Sequence, residues 1–164
     1  MILQYDKLMA RIPTPVTHTY TERDTILYAL ALGAGRPDPA APEARRFCYE
    51  AGLQALPTMA ALLGAGPAWL TEPEWGIDFT RLLHGEQALT VHRPLPSSGT
   101  VVATETVEEI YDKGAGKGAV MYLRRRLCDA DGHLLAEVRA ASFMRGNGGF
   151  GGKATGAPVP QVLP

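Results

Sequence analysis

The sequence predicts an α+β domain organised on a meandering antiparallel sheet, and three observations carry that expectation. First, the second half reads as four β-branched-rich runs, "GEQALTVHRPL", "GTVVATETVEEIYDK", "GAVMYLRRRLCDADG" and "GHLLAEVRAASFMRG", divided by Gly, Pro or Asp–Gly. Second, one well-signalled helix stands ahead of them, the order expected of an α+β domain. Third, 164 residues is the length of one domain. A chain of that size buries roughly 68–70% of its unfolded surface and needs no disulfide or metal to fold.

Taken in order, "RIPTPVTHTY" is rich in Pro and Thr and suits an extended lead-in. "YTERDTILYALALGAG" is the helix. Thr21 serves as N-cap with Asp24 as its capping-box partner, Ile26, Leu27, Leu30 and Ala31 recur at helical spacing, and Gly33 and Gly35 stop it. "RPDPAAPEA" is a proline-rich loop. From Arg46 to Gly64, "RFCYEAGLQALPTMAALLG" is mostly apolar and reads as a short strand followed by a buried helical turn at Pro57. Its apolar residues fit both a core and the lining of a tunnel. "AGPAWLTEPEWG" is a further loop. Within the strand-rich half, "VMYLRRRLCD" places one face inward and an arginine-studded face outward. "CDADGHLLAE" is a hairpin turning at Asp131–Gly132. The tail after Arg145 is rich in Gly and Pro, and residues 154–164 read as an extended linker or tail behind a single domain of residues 1–153.

Composition narrows the function. Sixteen basic against seventeen acidic residues leave a net charge of −1, which argues against a dedicated nucleic-acid binder. No apolar run reaches ~18 residues, so no membrane span is expected, and the N-terminus has no signal-peptide pattern; a cytoplasmic protein is the expectation. Cys48 and Cys128 have no C-x-x-C spacing and read as reduced thiols.

Several segments invite chemistry. "GNGGFGGK" (Gly146–Lys153) resembles a phosphate loop in composition, but no helix follows it, so a flexible loop that brings backbone close to a ligand or partner fits better. In "YDKGAGKGA", Lys113 and Lys117 suit contact with a phosphate as point charges, and equally suit a solvated hairpin tip. Strand alternation puts His84 and Glu86 of "HGEQ" on one face, which would make a base with an orienting carboxylate or merely a polar strand end. Glu50, following the apolar "RFCY", is expected to be buried and therefore partnered. The histidines His18, His84, His92 and His133 have no metal-ligand spacing, and no G-x-S-x-G elbow occurs.

From about Tyr20 to Lys153, the segments "YTERDTILYALALGAG", "FCYE", "LQALPTMA", "LLHGEQ", "HRPLP", "DKGAGKGA" and "GNGGFGGK" resemble, in order, the N-terminal half of the (R)-specific enoyl-CoA hydratases of the MaoC-like dehydratase family, including the hydratase part of peroxisomal multifunctional enzymes. The resemblance implies a hot-dog fold, an antiparallel sheet wrapped around a central helix, and an acyl-CoA ligand with no cofactor or metal. It implies two such folds in tandem, the second carrying the catalytic Asp and His that hydrate trans-2-enoyl-CoA to the (3R)-hydroxyacyl-CoA. It places His84, Gly85 and Lys113 on substrate-contacting positions and Glu50 on an acidic position that supports activity. The family's catalytic segment, a Tyr-Arg run followed by Ser-Gly-Asp, Asn-Pro and Leu-His, has no counterpart in this sequence, so no catalytic residue is assigned. The expectation is a binding half that dimerises or pairs with a second hot-dog domain. A self-sufficient hot-dog acyl-CoA thioesterase using Glu50 or Glu86, and a purely structural module, are the alternatives.

Overall fold

The computed structural model describes residues 2–36, 38, 41–64, 66 and 68–158. Residues 159–164 of the expected linker, and residues 37, 39 and 40 of the proline-rich loop, lie outside the described residues.

Five strands, Val16–Tyr20 (β1), Leu82–Val91 (β2), Gly99–Asp112 (β3), Ala119–Asp129 (β4) and Leu134–Met144 (β5), form one sheet in the order β1-β3-β4-β5-β2. Every neighbouring pair is antiparallel. The expected hairpin joins β4 to β5, with Gly132 at φ 86 in the turn. The Pro- and Thr-rich lead-in ends in β1, on one edge, and β2 forms the other.

Helices are few and short: Tyr5–Met9 (α1), Glu22–Ala31 (α2) and Pro42–Cys48 (α3). The capping box of α2 is formed as expected, with the Thr21 side chain accepting from Asp24 N–H and the Asp24 carboxylate accepting from Thr21 N–H at 2.8 Å. Its buried face is not the leucine face, however. Thr25 and Ala29 are buried, the Thr25 hydroxyl donating to the Ser97 carbonyl at 2.7 Å, while Leu27 and Leu30 remain 54% and 46% exposed. Helix position is set by the Thr21 cap and the Thr25–Ser97 bond, and among the described residues the leucines are left half-open to solvent. No strand forms between Arg46 and Gly64. The segment belongs to α3 and to a 3₁₀ turn, Pro57–Ala61, that starts on its proline.

Met59, Ala60 and Leu63 of that apolar stretch are core, packed with Tyr20, Val101, Ala103, Leu127, Ala136 and Val138 of the sheet. A second cluster, Leu3, Leu8, Leu70, Ile77, Ile110, Met121, Leu123 and Met144, fills the other end of the same face. Helix α1 contributes Leu8 to it, and at five residues α1 is too short to show periodicity in the sequence. Between the two clusters lies a polar seam. Arg125 faces inward, 8% exposed, with Nη2 donating to the Ala61 carbonyl at 2.5 Å and Nη1 3.7 Å from the Glu105 carboxylate. Burial holds the Arg125 pKa below the ordinary arginine value and Glu105 opposes that. Its sequence neighbours Arg124 and Arg126 point to the other face, where they meet Glu108 and Glu137. The arginine-studded outer face is therefore present, and the middle arginine turns inward by strand alternation.

Candidate functional site at one end of the sheet

Pairing aligns Asp112 with Ala119, Ala119 with Met144, and Met144 with Leu82. That row ends the sheet, and three segments converge on it: the start of β2 with His84 and Gly85, the loop after β3 with Lys113 and Lys117, and the glycine run after β5. His84 and Lys113, distant in sequence, thus share one end of the sheet, with β4 and β5 between their strands. At ~4.8 Å per strand the separation is about 14 Å.

His84 pairs with Ser142 and Glu86 with Ala141, because Gly85 is an extra, unpaired residue in β2. Ser142 and Ala141 are adjacent and face opposite ways, so His84 and Glu86 also lie on opposite faces. The expected base–orienter pair is not formed. Instead the Glu86 charge helps raise the pKa of Tyr122, after burial, on the outer face. At the bulge, a Cβ on Gly85 would stand 3.2 Å from the Ala141 carbonyl, so glycine lets the bulged backbone sit close against β5.

His84 is exposed, and among the described residues its ring makes no hydrogen bond or ion pair. The other histidines do: the His18 ring accepts from Gly64 N–H, His92 lies 3.4 Å from Glu137, and His133 lies 3.1 Å from Asp129. Lys113 is exposed as well. Its ammonium leans 5.8 Å from the centroid of the Tyr111 ring and, among the described residues, meets no carboxylate, whereas Lys153 pairs with Glu109. Glu50 is exposed on the bend after α3, contrary to the burial expected of it, because α3 is amphiphilic at most and buries no residue fully.

The glycine run is not a loose loop. It folds tightly on its own chain, and Asp112 is the reason. The Asp112 carboxylate accepts from Gly114 N–H at 2.8 Å and from Gly149 and Gly151 N–H at 2.7 Å each. Burial works to raise the Asp112 pKa, but these N–H bonds outweigh it and hold the carboxyl below the usual range. Buried Asn147 pins the same run to the loop before β2, donating to the Gly76 carbonyl at 2.7 Å and accepting from Asp78 N–H at 2.8 Å. Sequence reasoning passed over both residues. The "DKG" pattern, an Asp two residues before a Gly at a strand end, was the available sign of Asp112. A cleft of about 650 Å³ opens beside the run, lined by Tyr5, Lys7, Phe150, Gly151 and Gly152. The ligand atoms of Asp129, Asp131 and His133 also come within 4.8 Å of one another at the β4–β5 turn. There the Asp129 carboxylate is engaged by Asp131 N–H, His133 N–H and the His133 ring, which is how such a turn is capped.

Residues 18–146 match the family model described as the MFE-2 hydratase 2 N-terminal domain. The chain is 37% identical over 155 residues to 3-hydroxyacyl-thioester dehydratase Y of Mycobacterium tuberculosis, an alignment covering 93% of this chain and 52% of that protein. It is 36% identical over 152 residues to the peroxisomal enoyl-CoA hydratase 2 of Arabidopsis thaliana, covering 88% and 48%. The fold superposes on a MaoC-like dehydratase from Phytophthora capsici with a TM-score of 0.72 at 27% identity, covering 97% of this chain and 55% of the other. The chain spans about half the length of these relatives. With the five-stranded antiparallel sheet, this makes the architecture an α+β hot-dog fold.

Proposed function

Since the chain belongs to the MFE-2 hydratase 2 N-terminal domain family, we propose that it is the acyl-CoA-binding N-terminal hot-dog domain of an (R)-specific 2-enoyl-CoA hydratase. On this reading residues 1–153 are the domain, 154–164 its linker or tail, and a cytoplasmic location goes with it. Names of similar proteins support the reaction class, being enoyl-CoA hydratases and 3-hydroxyacyl-thioester dehydratases. The observation that carries the reading is a pair of unspent groups at one end of the sheet. Among the described residues, Lys113 meets no carboxylate and His84 no hydrogen-bond partner, while the other histidines are engaged. CoA is elongated and anionic through its phosphates, so Lys113 suits the phosphates while His84 and the backbone of Gly85 contact the rest.

Hydration places the hydroxyl of water on C3 of the enoyl thioester while a base takes its other proton and an acid delivers one proton to C2, which requires an acid and a base acting around one water. Charge developing on the thioester oxygen is held by backbone N–H donors. This chemistry is acid–base throughout and calls for no redox cofactor. In our reading a second hot-dog domain supplies the acid–base pair, because His84 and Glu86 face opposite ways. Glu50, exposed beyond α3, supports activity from a position open to that second domain.

Calorimetric titration of the 164-residue chain with a trans-2-enoyl-CoA tests this. Saturable binding is expected, weakened about fivefold by Lys113→Ala, the loss of one partly screened phosphate contact. Absence of binding, or binding indifferent to Lys113, would overturn it. Hydration followed by loss of the conjugated double bond is expected to be absent for this chain alone.

A further inference from the structure

Lys113 is the residue after Asp112, and Asp112 does something unusual for a carboxylate near an anion site. It is 6% exposed and no cation pairs with it among the described residues. Its charge is taken up by the N–H groups of Gly114, Gly149 and Gly151, and its own N–H donates to the Lys153 carbonyl at 2.8 Å. Gly114, Gly149 and Gly151 have φ of 99, 91 and 86, the left-handed region open to glycine, and their N–H groups converge from two loops into one anion nest. The nest that a phosphate occupies in other proteins is here filled from within.

The filling locks two loops into one body. Lys113 N–H donates to the Gly118 carbonyl and Lys117 N–H to the Gly114 carbonyl, closing the loop that carries both lysines. Gly148 lies so close to that loop that a Cβ on it would fall 2.3 Å from the Gly114 carbonyl oxygen. Lys113 therefore leaves a backbone held on both sides, and a held cation binds an anion without first losing loop entropy.

We propose that Asp112 is a positioning residue for Lys113: by filling the glycine nest it fixes the loop from which Lys113 meets the anionic part of the ligand, while its own charge is absorbed by backbone N–H groups and does not repel that ligand. The inference rests on the reading of Lys113 as a phosphate contact.

The test is a double-mutant cycle with Asp112→Asn and Lys113→Ala in the 164-residue chain, read by CoA affinity and by amide hydrogen exchange. Asparagine keeps one acceptor oxygen for Gly114 and Gly149 but sets an N–H₂ group against Gly151 N–H. Exchange at residues 113–118 is expected to quicken about tenfold, the equivalent of one lost hydrogen bond. CoA affinity should fall by up to about fivefold, the full contribution of Lys113, with Lys113 present and barely at all in the Lys113→Ala background. An equal loss in both backgrounds, or unchanged exchange, overturns the inference. If Lys113→Ala alone leaves CoA affinity unchanged, the functional reading fails, and exchange still decides whether Asp112 holds the loop. Should Asp112→Asn not fold, acid titration of the unmodified chain decides: the Gly114, Gly149 and Gly151 amide resonances move with one shared midpoint, and separate midpoints overturn the proposal.

Discussion

Gly148 needs room rather than an unusual torsion. Its φ is not positive, yet a Cβ there would stand 2.3 Å from the Gly114 carbonyl oxygen and 2.5 Å from that of Gly118. Both are backbone atoms of the lysine loop, and backbone cannot swing aside as a side-chain tip does. Gly148→Ala is expected to cost about 2–3 kcal/mol, the range of a forced overpacking, seen as a lower urea midpoint. A variant within 0.5 kcal/mol of wild type on that assay would show the two loops to be loosely joined. Titration belongs to the same scale. Asp112, opposed by burial but won over by N–H bonds, and Glu109, held by Lys153 above all, both have carboxyls below the usual range in the folded chain. A lowered folded pKa contributes stability above the unfolded value, and that stability is lost as pH falls through the folded one. Resistance to urea should therefore fall progressively below about pH 5. Asp112→Asn should flatten that decline, and an unchanged pH slope would remove Asp112 from the account.

Elements show where sequence legibility ended. The Thr21 capping box, the Asp131–Gly132 hairpin and the four strands of the second half were readable because each is decided by neighbours in sequence. The inward face of α2 was not readable, since a long-range bond from Thr25 to Ser97 sets it against the leucine pattern. The Gly85 bulge reversed the His84–Glu86 geometry for a similar reason: one unpaired residue shifts the register, and alternation assumes none. Of the candidate site, His84, Gly85 and Lys113 were identified by resemblance, whereas for Asp112 the local "DKG" pattern signals only the Gly114 contact, and those to Gly149 and Gly151 lie 37 and 39 residues away. The polar seam is a further feature of this kind and supports a prediction. Glu105 accepts from Trp69 Nε1 at 3.1 Å and faces Arg125 at 3.7 Å. Glu105→Gln keeps an acceptor for the indole but leaves a buried guanidinium without a counter-charge, a loss of about 2–4 kcal/mol. Replacing both, as Glu105→Leu with Arg125→Met, should recover most of that loss. If the double variant is as unstable as the single one, the seam is held by something other than its charges.

At the scale of the whole molecule, the surface is unfinished in two places. The β2 edge presents a strand of ten residues, exposed nearly throughout, with unpaired backbone groups on its outer side and Leu83 49% exposed. Across α2 and the turns near it, Leu27, Leu30, Leu32 and Leu62 are each exposed by 46–60%. Relatives are about twice as long, so in them a further stretch of chain is available to such surfaces. We expect a second copy to take that role when this chain is alone, with two β2 edges side by side. An open edge offers hydrogen bonds along its length, and Gly85 interrupts it only near one end. Light scattering should give a mass near twice 17.6 kDa at high concentration, falling on dilution. Val91→Pro, placed in the edge away from the bulge, removes a backbone donor that faces away from β5 and should shift the equilibrium to monomer with the fold intact by circular dichroism. Leu30→Lys, on the helix face, separates the two surfaces: it leaves the dimer unchanged if the strand edge carries the pairing and dissolves it if the leucines do. A chain that stays monomeric at every concentration would mean that neither surface is sufficient without the sequence that relatives carry beyond it.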